Sequence, residues 1–367
     1  MRHRRKNLLG MNMSRSKASS AKVGALARGA IKGAPTVRDV AALAGVSPMT
    51  VSRTMAGGLN VRPEVQDRVR DAVEKLGYRP NQSARNTRLR KPTGLIGIAV
   101  TNLDNPYYGR FALGVQKVAS AHGRQIVVGS SGEDPALEEQ LLREFAGRQL
   151  EGLILVPAGN GLNQGAVQQL GGIPLVLATR TVEGLEGDAV LVEDVAGAAA
   201  GTAALLEDGH RRIGFLGDVD GISTARRRFE GFRQALERAG AGFDPGHLAK
   251  VRDSEAAAEA VGRLLAGPHP PTAFFSANNR TTVGALRAIC ERRDRAAPGS
   301  RLPTPVPALA SFDDVELADL LGVPLSVMSH DPRELGAAAA DLLFERLAGT
   351  ADGGPRLVQL PVTVRRF

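Results

Sequence analysis

Thr36-Val37-Arg38-Asp39-Val40-Ala41-Ala42-Leu43-Ala44-Gly45-Val46-Ser47-Pro48-Met49-Thr50-Val51-Ser52-Arg53-Thr54-Met55 decides how the first part of this chain folds. Val37, Val40, Ala41 and Ala44 recur at helical spacing, and Thr36 can accept a free N–H, so a short helix starts here. Gly45 tolerates the positive φ of a tight turn, and Val46 plugs the corner. Ser47 caps a second helix with Pro48 at its first position, where the missing N–H costs nothing. The inner face of that helix is Val51 and Met55, while Pro48, Met49, Thr50, Ser52 and Arg53 face outward. A third amphipathic helix, Pro63 to Leu76, sets Val65, Val69, Val73 and Leu76 on one face and stops at Gly77. Three short helices around an Ala/Val core, with an exposed polar N-terminus on the second, form a helix-turn-helix suited to reading DNA. A plain helical hairpin is the alternative, against which the Ala41-x-x-Ala44-Gly45-Val46-Ser47-x-x-Thr50-Val51-Ser52-Arg53 run weighs.

Upstream, residues 1–34 carry nine Lys and Arg and no acid, residues 35–91 net +6, and the rest of the 367-residue chain −6. A basic head on a mildly acidic body suggests a polyanion at one end and a separate task at the other. The tail lacks apolar periodicity and reads as disordered. It is either a non-specific phosphate-binding arm or partly a stretch ahead of the true start at Met11 or Met13. An organellar transit peptide would share its Arg- and Ser-rich composition. Leu8, Leu9, Met11 and Met13 are too broken for a secretory signal, and no apolar run reaches membrane-spanning length. The lone Cys290 excludes an intramolecular disulfide framework and any CxxC zinc or redox centre. A cytoplasmic location, on the nucleoid when DNA-bound, follows as the expectation.

Downstream of residue 93, short apolar runs alternate with amphipathic stretches. Strands are expected at Leu95–Val100, Gln125–Gly129, Gly152–Val156, Pro174–Ala178, Ala189–Val192, Ile213–Gly217, Thr272–Ser276, Ala308–Phe312 and Ser326–Met328. Helices are expected over 106–121, 135–149, 196–208, 224–239, 254–266, 280–293 and 333–348. Strands joined by helical crossovers imply parallel sheets covered on both faces, with ligands bound beyond the strands' carboxyl ends.

The 41–53 run resembles the lactose-repressor/galactose-repressor (LacI/GalR) family of bacterial transcription factors, and the likeness continues through Leu76-Gly77-Tyr78-Arg79-Pro80-Asn81. Further local matches are Asn105-Pro106-Tyr107-Tyr108, Gly209-His210-Arg211-Arg212-Ile213, Thr224 to Phe232 and Ser311-Phe312-Asp313-Asp314. The resemblance covers roughly residues 36–367. It implies an all-α helix-turn-helix headpiece followed by an α/β, two-lobed, periplasmic-binding-protein-like (type I) effector and dimerisation domain. The expected division is a tail at 1–34, the headpiece at 35–80, a hinge helix and linker at 81–92 and the body at 93–367. By position, Pro48, Met49 and Arg53 match base-reading residues. Thr36, Thr50, Ser52, Tyr78 and Asn81 match phosphate-contacting or positioning residues, and Ala84 and Thr87 match hinge contacts to DNA. Arg53 can bond a guanine edge bidentately, whereas Met49 offers only apolar contact. Thr87 stands where the family commonly inserts a leucine into the minor groove. Thr is a poor wedge, and Leu89 lies two residues on.

The resemblance carries effector contact to Thr224 and Arg228, and the expected effector set is completed by Tyr107, Tyr108, Asn279 and Asp313. Arg228 is otherwise a lobe–lobe salt bridge or a solvated helix face. The two tyrosines either stack on ligand or pack. Asn279 replaces a usual Asp, which suits a more anionic effector, such as a sugar acid or phosphate, or an altered hydroxyl pattern. The implied partners are a palindromic double-stranded operator, a sugar-like effector and a second copy, because one headpiece reads few base pairs. Induction and corepression both suit this arrangement. No enzyme is expected: GxxxxGK[ST], HExxH and GxSxG are absent, and the six histidines are scattered. Asp313-Asp314 has no nearby partners and reads as a loop, Cys290 as a core residue, and His210 as a positioning residue. No cofactor, metal or catalytic residue is implied. A solute-capture protein would suit the body alone, and the 36–90 segment argues against it.

Overall fold

The computed structural model describes residues 34–58, 60–79, 92–159, 167–168, 170–294, 306–320, 322–351 and 353–367. They fall into a first unit ahead of Pro92 and a second running from Pro92 to Phe367. The expected disordered tail and the hinge, including Asn81, Ala84, Thr87 and Leu89, lie outside the described residues.

The first unit is α1 (Val37–Ala44), α2 (Pro48–Met55) and α3 (Pro63–Leu76). Its core is Val40, Ala41, Ala44, Val51, Val69 and Ala72, with Val37, Met55, Val73, Leu76 and Tyr78 partly buried against it. Gly45 turns the chain at φ 65° and Gly77 ends α3 at φ 61°, both in the left-handed region open to glycine. The inner face of α2 differs from its reading in one respect. Thr54 joins Val51 and the half-buried Met55 on that face, its hydroxyl satisfied by donating to Thr50 O at 3.0 Å.

The second unit contains two six-stranded sheets. Lobe 1 runs β11-β5-β4-β3-β1-β2, with β1 (Leu95–Val100), β2 (Gln125–Ser130), β3 (Gly152–Leu155), β4 (Leu175–Ala178), β5 (Asp188–Val192) and β11 (Leu357–Leu360), all parallel. Lobe 2 runs β12-β10-β9-β8-β6-β7, with β6 (Ile213–Leu216), β7 (Leu248–Ala249), β8 (Ala273–Ser276), β9 (Ala308–Phe312), β10 (Leu325–Ser329) and β12 (Thr363–Arg366). Only β12 is antiparallel, its Arg366 lying opposite Ser326 of β10. Helices α4 (Pro106–Ala121), α5 (Pro135–Gly147) and α10 (Pro332–Ala348) cover lobe 1. Helices α6 (Asp194–Glu207), α7 (Ser223–Arg238), α8 (Ser254–Ala266) and α9 (Asn279–Asp294) cover lobe 2.

Both faces of the interior strands are dry, which is why those strands read as near-continuous apolar runs. In β1, Ile96, Ile98 and Val100 join a cluster that continues into lobe 2 through Phe215, Phe275 and Phe312. Ala99 faces the opposite layer with Leu142, Leu153 and Leu155. Helices α4 and α10 approach closely at reciprocal glycines: a Cβ on Gly114 would collide with Arg333 O, and one on Gly336 with Phe111 O. The chain changes lobe after β5, after β10 and after β11.

Three strands escape the sequence reading. β7 has two residues, and β11 and β12 lie at sheet edges, where β12 is exposed along its length. Leu248 of β7 and Val358 and Leu360 of β11 pack only partly against the core, so these edge strands carry a weaker apolar signature than the interior ones.

Candidate functional site

In the first unit, a reciprocal cap fixes α1. The Thr36 hydroxyl accepts from Asp39 N, and Thr36 N donates to the Asp39 carboxylate at 2.8 Å. Bonds from Thr36 hold that carboxyl below its ordinary range, and an anion in a helix's first turn also suits the dipole. Ser47 Oγ accepts from Thr50 N at 3.1 Å and lies 2.9 Å from Thr50 Oγ1. This capping holds Thr50 half-buried, a correction to its outward reading. Pro48, Met49, Ser52 and Arg53 are exposed on one end and side of α2, and Met49 is 63% exposed despite being apolar. An exposed apolar side chain beside an exposed arginine, on a capped N-terminus, matches what a major-groove reader presents to base edges. Thr36 is exposed, and Tyr78 is half-buried against the core.

In the second unit, the polar residues gather beyond the carboxyl ends of the strands of both lobes. Arg228, on α7, is buried. Its Nε donates to Asp194 Oδ1 at 2.8 Å, and its Nη1 donates to Ala277 O at 2.6 Å and reaches Asp313 Oδ2 at 3.4 Å. Its guanidinium lies 3.6 Å from the Phe312 ring centre, a cation–π contact in a desolvated setting. Arg227 grips the other oxygen of Asp194 at 2.6 Å and donates to Thr179 O at 3.1 Å. Arg228 is therefore neither a lobe–lobe bridge nor solvated, because its acidic partners Asp194 and Asp313 both belong to lobe 2. Asp313 and Asp314 do have partners, brought from far along the chain: Arg228 for the first and Arg365, at 2.8 Å, for the second.

On the lobe 1 side, Arg180 forks onto Glu133 with two bonds of 2.8 Å and donates to Pro157 O at 2.9 Å. Glu138 is buried, accepts from Ala158 N at 2.6 Å, and is pushed up to about 7 by burial. Tyr108 is buried and accepts from Thr101 Oγ1 at 2.9 Å, which makes it a packing residue. Tyr107 meets it edge to face, with centroids 5.3 Å apart, and its hydroxyl lies 3.0 Å from His330 Nε2. Burial raises the Tyr107 hydroxyl well above the ordinary phenol range and lowers the His330 imidazole.

Several buried polar atoms at these strand ends have no partner: Thr179 Oγ1, Arg180 Nε, Ser223 Oγ, Asn279 Oδ1, Arg280 Nε, Asp313 Oδ1 and His330 Nδ1. Asp313 Oδ1 and His330 Nδ1 are 4.0 Å apart, too far for a direct bond. Thr179 and Asp313 also hold positive φ, at 61° and 68°, conformations uncommon for side chains with a Cβ and most strained for a β-branched one. Unsatisfied groups and strain together mark a place built to meet something else. Of the sequence-predicted effector residues, Arg228 reaches Asp313 directly, Tyr107 meets His330, whose ring lies 4.0 Å from Asp313, and Thr224 is buried in the first turn of α7. Asn279 is tied instead to Asn105, its Nδ2 donating to Asn105 Oδ1 at 2.8 Å. Asp194, Thr179, Ser223 and His330 were missed. Each lies within a few residues of an element boundary at the cleft, and that position is the signal that could have found the three that follow a strand.

A capped helix-turn-helix and a two-lobed body with a polar site at its strand ends define a ligand-responsive DNA-binding protein. Residues 36–81 match the bacterial regulatory proteins of the lacI family, and residues 202–366 match a periplasmic binding protein-like domain. The ribose operon repressor of Haemophilus influenzae is 30% identical over 332 residues, 90% of this chain and 97% of that protein. The transcriptional regulator CelR in complex with cellobiose is 26% identical, with TM-score 0.65, over 90% of this chain and 98% of that one. The lac repressor dimer bound to operator and the anti-inducer ONPF shares the fold at 23% identity and TM-score 0.68, over 91% and 98% of the two chains. This chain belongs to the LacI family of transcriptional regulators, which are DNA-binding repressors and not enzymes. Among the described residues, no helix is long and apolar enough to cross a membrane.

Proposed function

We propose that this protein represses transcription as a homodimer on a palindromic operator in the cytoplasm, under the control of an uncharged sugar or sugar derivative bound between the lobes. The headpiece at 35–80 would read bases through Pro48, Met49 and Arg53 and hold phosphates through Thr36, Thr50, Ser52 and Tyr78. Asn81, Ala84 and Thr87 would extend the contact through the 81–92 hinge. The body at 93–367 would bind the effector through Thr224, Arg228, Asp313 and Tyr107, joined by Thr179, Ser223 and His330.

One observation carries the effector class: around Asp313 the unpartnered atoms are hydroxyls, an imidazole nitrogen and acceptor oxygens, with Arg180 Nε and Arg280 Nε as further unpartnered donors, while three of the nearby arginines already face carboxylates. Arg227 and Arg228 face Asp194 and Asp313, and Arg180 faces Glu133. An anionic ligand would meet the carboxylate oxygen Asp313 Oδ1, beside an Arg228 already shared with Asp194, whereas hydroxyls can donate to it and to Asn279 Oδ1. That favours neutral hydroxyls over the sugar acid or phosphate that an uncharged Asn279 suggested. Names among the relatives point the same way, towards ribose and cellobiose. The dimer reading is supported by exposed Leu103, Leu113, Val283, Leu317 and Leu320, which lie on or next to the elements around the Arg110–Glu316 ion pair, on both lobes.

The test is thermal shift with neutral mono- and disaccharides against sugar acids and sugar phosphates, on the wild type and on Asp313→Asn. A cognate neutral sugar at a hundredfold excess over Kd adds about 2.7 kcal/mol of stability. Asp313→Asn is expected to remove that shift. Stabilisation confined to the acids or phosphates overturns the reading.

A further inference from the structure

Lobe 1 and lobe 2 also meet at a pair of amides. Asn105 ends the β1–α4 loop of lobe 1, and Asn279 begins α9 of lobe 2; neither lies on a segment where the chain changes lobe. Asn105 Oδ1 accepts from Tyr107 N at 3.1 Å as the N-cap of α4, and from Asn279 Nδ2 at 2.8 Å. An amide's oxygen and nitrogen are normally interchangeable in such a contact. Here they are not: the α4 cap requires the oxygen of Asn105 on that side, so Asn279 must supply the nitrogen. The remaining oxygen of Asn279 is buried and unpartnered, so the side chain has sacrificed one polar satisfaction to make this bond. Deeper in the cleft, Arg227 also donates across the lobes to Thr179 O at 3.1 Å, while the contacts beside the two amides are weaker. Arg110 and Glu316 are 39% and 67% exposed, and Arg280 Nη1 reaches Asp104 O only at 3.4 Å.

We infer that Asn105 and Asn279 form a polar latch of fixed direction, acceptor on lobe 1 and donor on lobe 2, which sets the separation of the lobes before any effector arrives. It stands beside the effector reading, since a ligand between the lobes would bind against this preset spacing. The asparagine at 279 is then a positioning residue. An aspartate at 279 would put a carboxylate oxygen against the Asn105 carbonyl oxygen and break the bond. An aspartate at 105 would keep both accepted bonds and add charge to them.

Two isosteric variants that add the same charge at the same contact therefore have opposite effects. The experiment is a pulsed electron spin distance measurement between labels at Gln140→Cys on α5 and Arg263→Cys on α8. It uses the full chain in a Cys290→Ala background, diluted with unlabelled chain and without ligand. Asn279→Asp and Asn279→Ala are expected to raise the ratio of separated to joined lobes about fivefold or more. Asn105→Asp is expected to leave the distribution unchanged or narrower. Distributions that match wild type in both Asn279 variants, or that shift alike in Asn279→Asp and Asn105→Asp, overturn the latch. No ligand takes part, so failure of the effector reading in the thermal-shift panel leaves this result standing, and the reverse also holds.

Discussion

Lobe 1 fills most of its interior with aliphatic side chains such as Ile96, Ile98, Leu142, Leu153, Ile154 and Leu155, its phenylalanines Phe111, Phe145 and Phe344 lying on the covering helices, whereas lobe 2 sets Phe215, Phe274, Phe275 and Phe312 on the sheet itself, with Phe232 against them. Phe215 stacks on Phe275 at 5.3 Å, and Phe229 and Phe243 close the group edge to face at 5.4 Å. Rings have few rotamers and large flat faces, so they hold what lies on them in place. Phe312 does this for Arg228. The charged groups differ in parallel. Those of lobe 1 are spent on one another, as Arg180 on Glu133, while Arg228 in lobe 2 organises Asp313, which keeps one oxygen uncommitted. On the proposed reading, lobe 2 supplies most of the effector contacts, and lobe 1 adds Tyr107 and Thr179.

The contrast breaks most severely at Asp194, which is buried and receives both Arg227 and Arg228. Removing one partner of a buried ion pair strands the others, so Asp194→Ala is expected to cost about 3–5 kcal/mol. Urea denaturation of the intact chain at pH 7 measures it. A loss under about 1 kcal/mol would show that the lobe 2 charges are not interdependent.

Lobe 1 gives a smaller effect of opposite sign at Glu138. Its carboxyl titrates near 7 against an ordinary 4.5, so between those values the unfolded chain binds fewer protons than the folded one. Stability therefore falls as pH rises from about 4.5 to 7 and stays reduced above. Glu138→Gln keeps the bond from Ala158 N and should gain about 2–3 kcal/mol at pH 8.5, and almost nothing at pH 4.5. Equal gains at both values, in melts run across pH, would remove the burial argument.

Smallest is the headpiece, where Ser47→Ala removes the α2 cap at a cost of about 1 kcal/mol. It should appear in that unit's own transition, followed by amide exchange in α2, with exchange in both lobes unchanged.

The headpiece was legible because each of its signals is local: Thr36, Gly45, Ser47, Pro48 and Gly77 act on neighbours within four residues. The interior strands were legible because burial on both faces writes an unbroken apolar run, as in Leu95–Val100. The edge strand Thr363–Arg366 was not, since its exposed side chains carry no burial pattern. In the site, Arg228 and Asp313 were reached through resemblance, but their true partnership spans 85 residues and no spacing announces it. Asp194, Thr179 and His330 converge only after the sheets form. The Asn105–Asn279 bond was equally illegible, because 174 residues separate its two ends.

The three lobe changes have a consequence for the newborn chain. Lobe 1 has made its first five strands by Val192, yet its helix α10 and edge strand β11 come from Pro332–Leu360. At ribosomal speeds of about 5–20 residues per second, those pieces arrive roughly 7–30 s later. Until then the α4 face that receives α10, with Gly114 at its centre, stays open to water, and β12 completes lobe 2 later still. The headpiece has no such debt, since all its residues leave the tunnel first. During synthesis the chain therefore holds a finished DNA reader attached to two unfinished lobes, a window in which chaperones have something to hold.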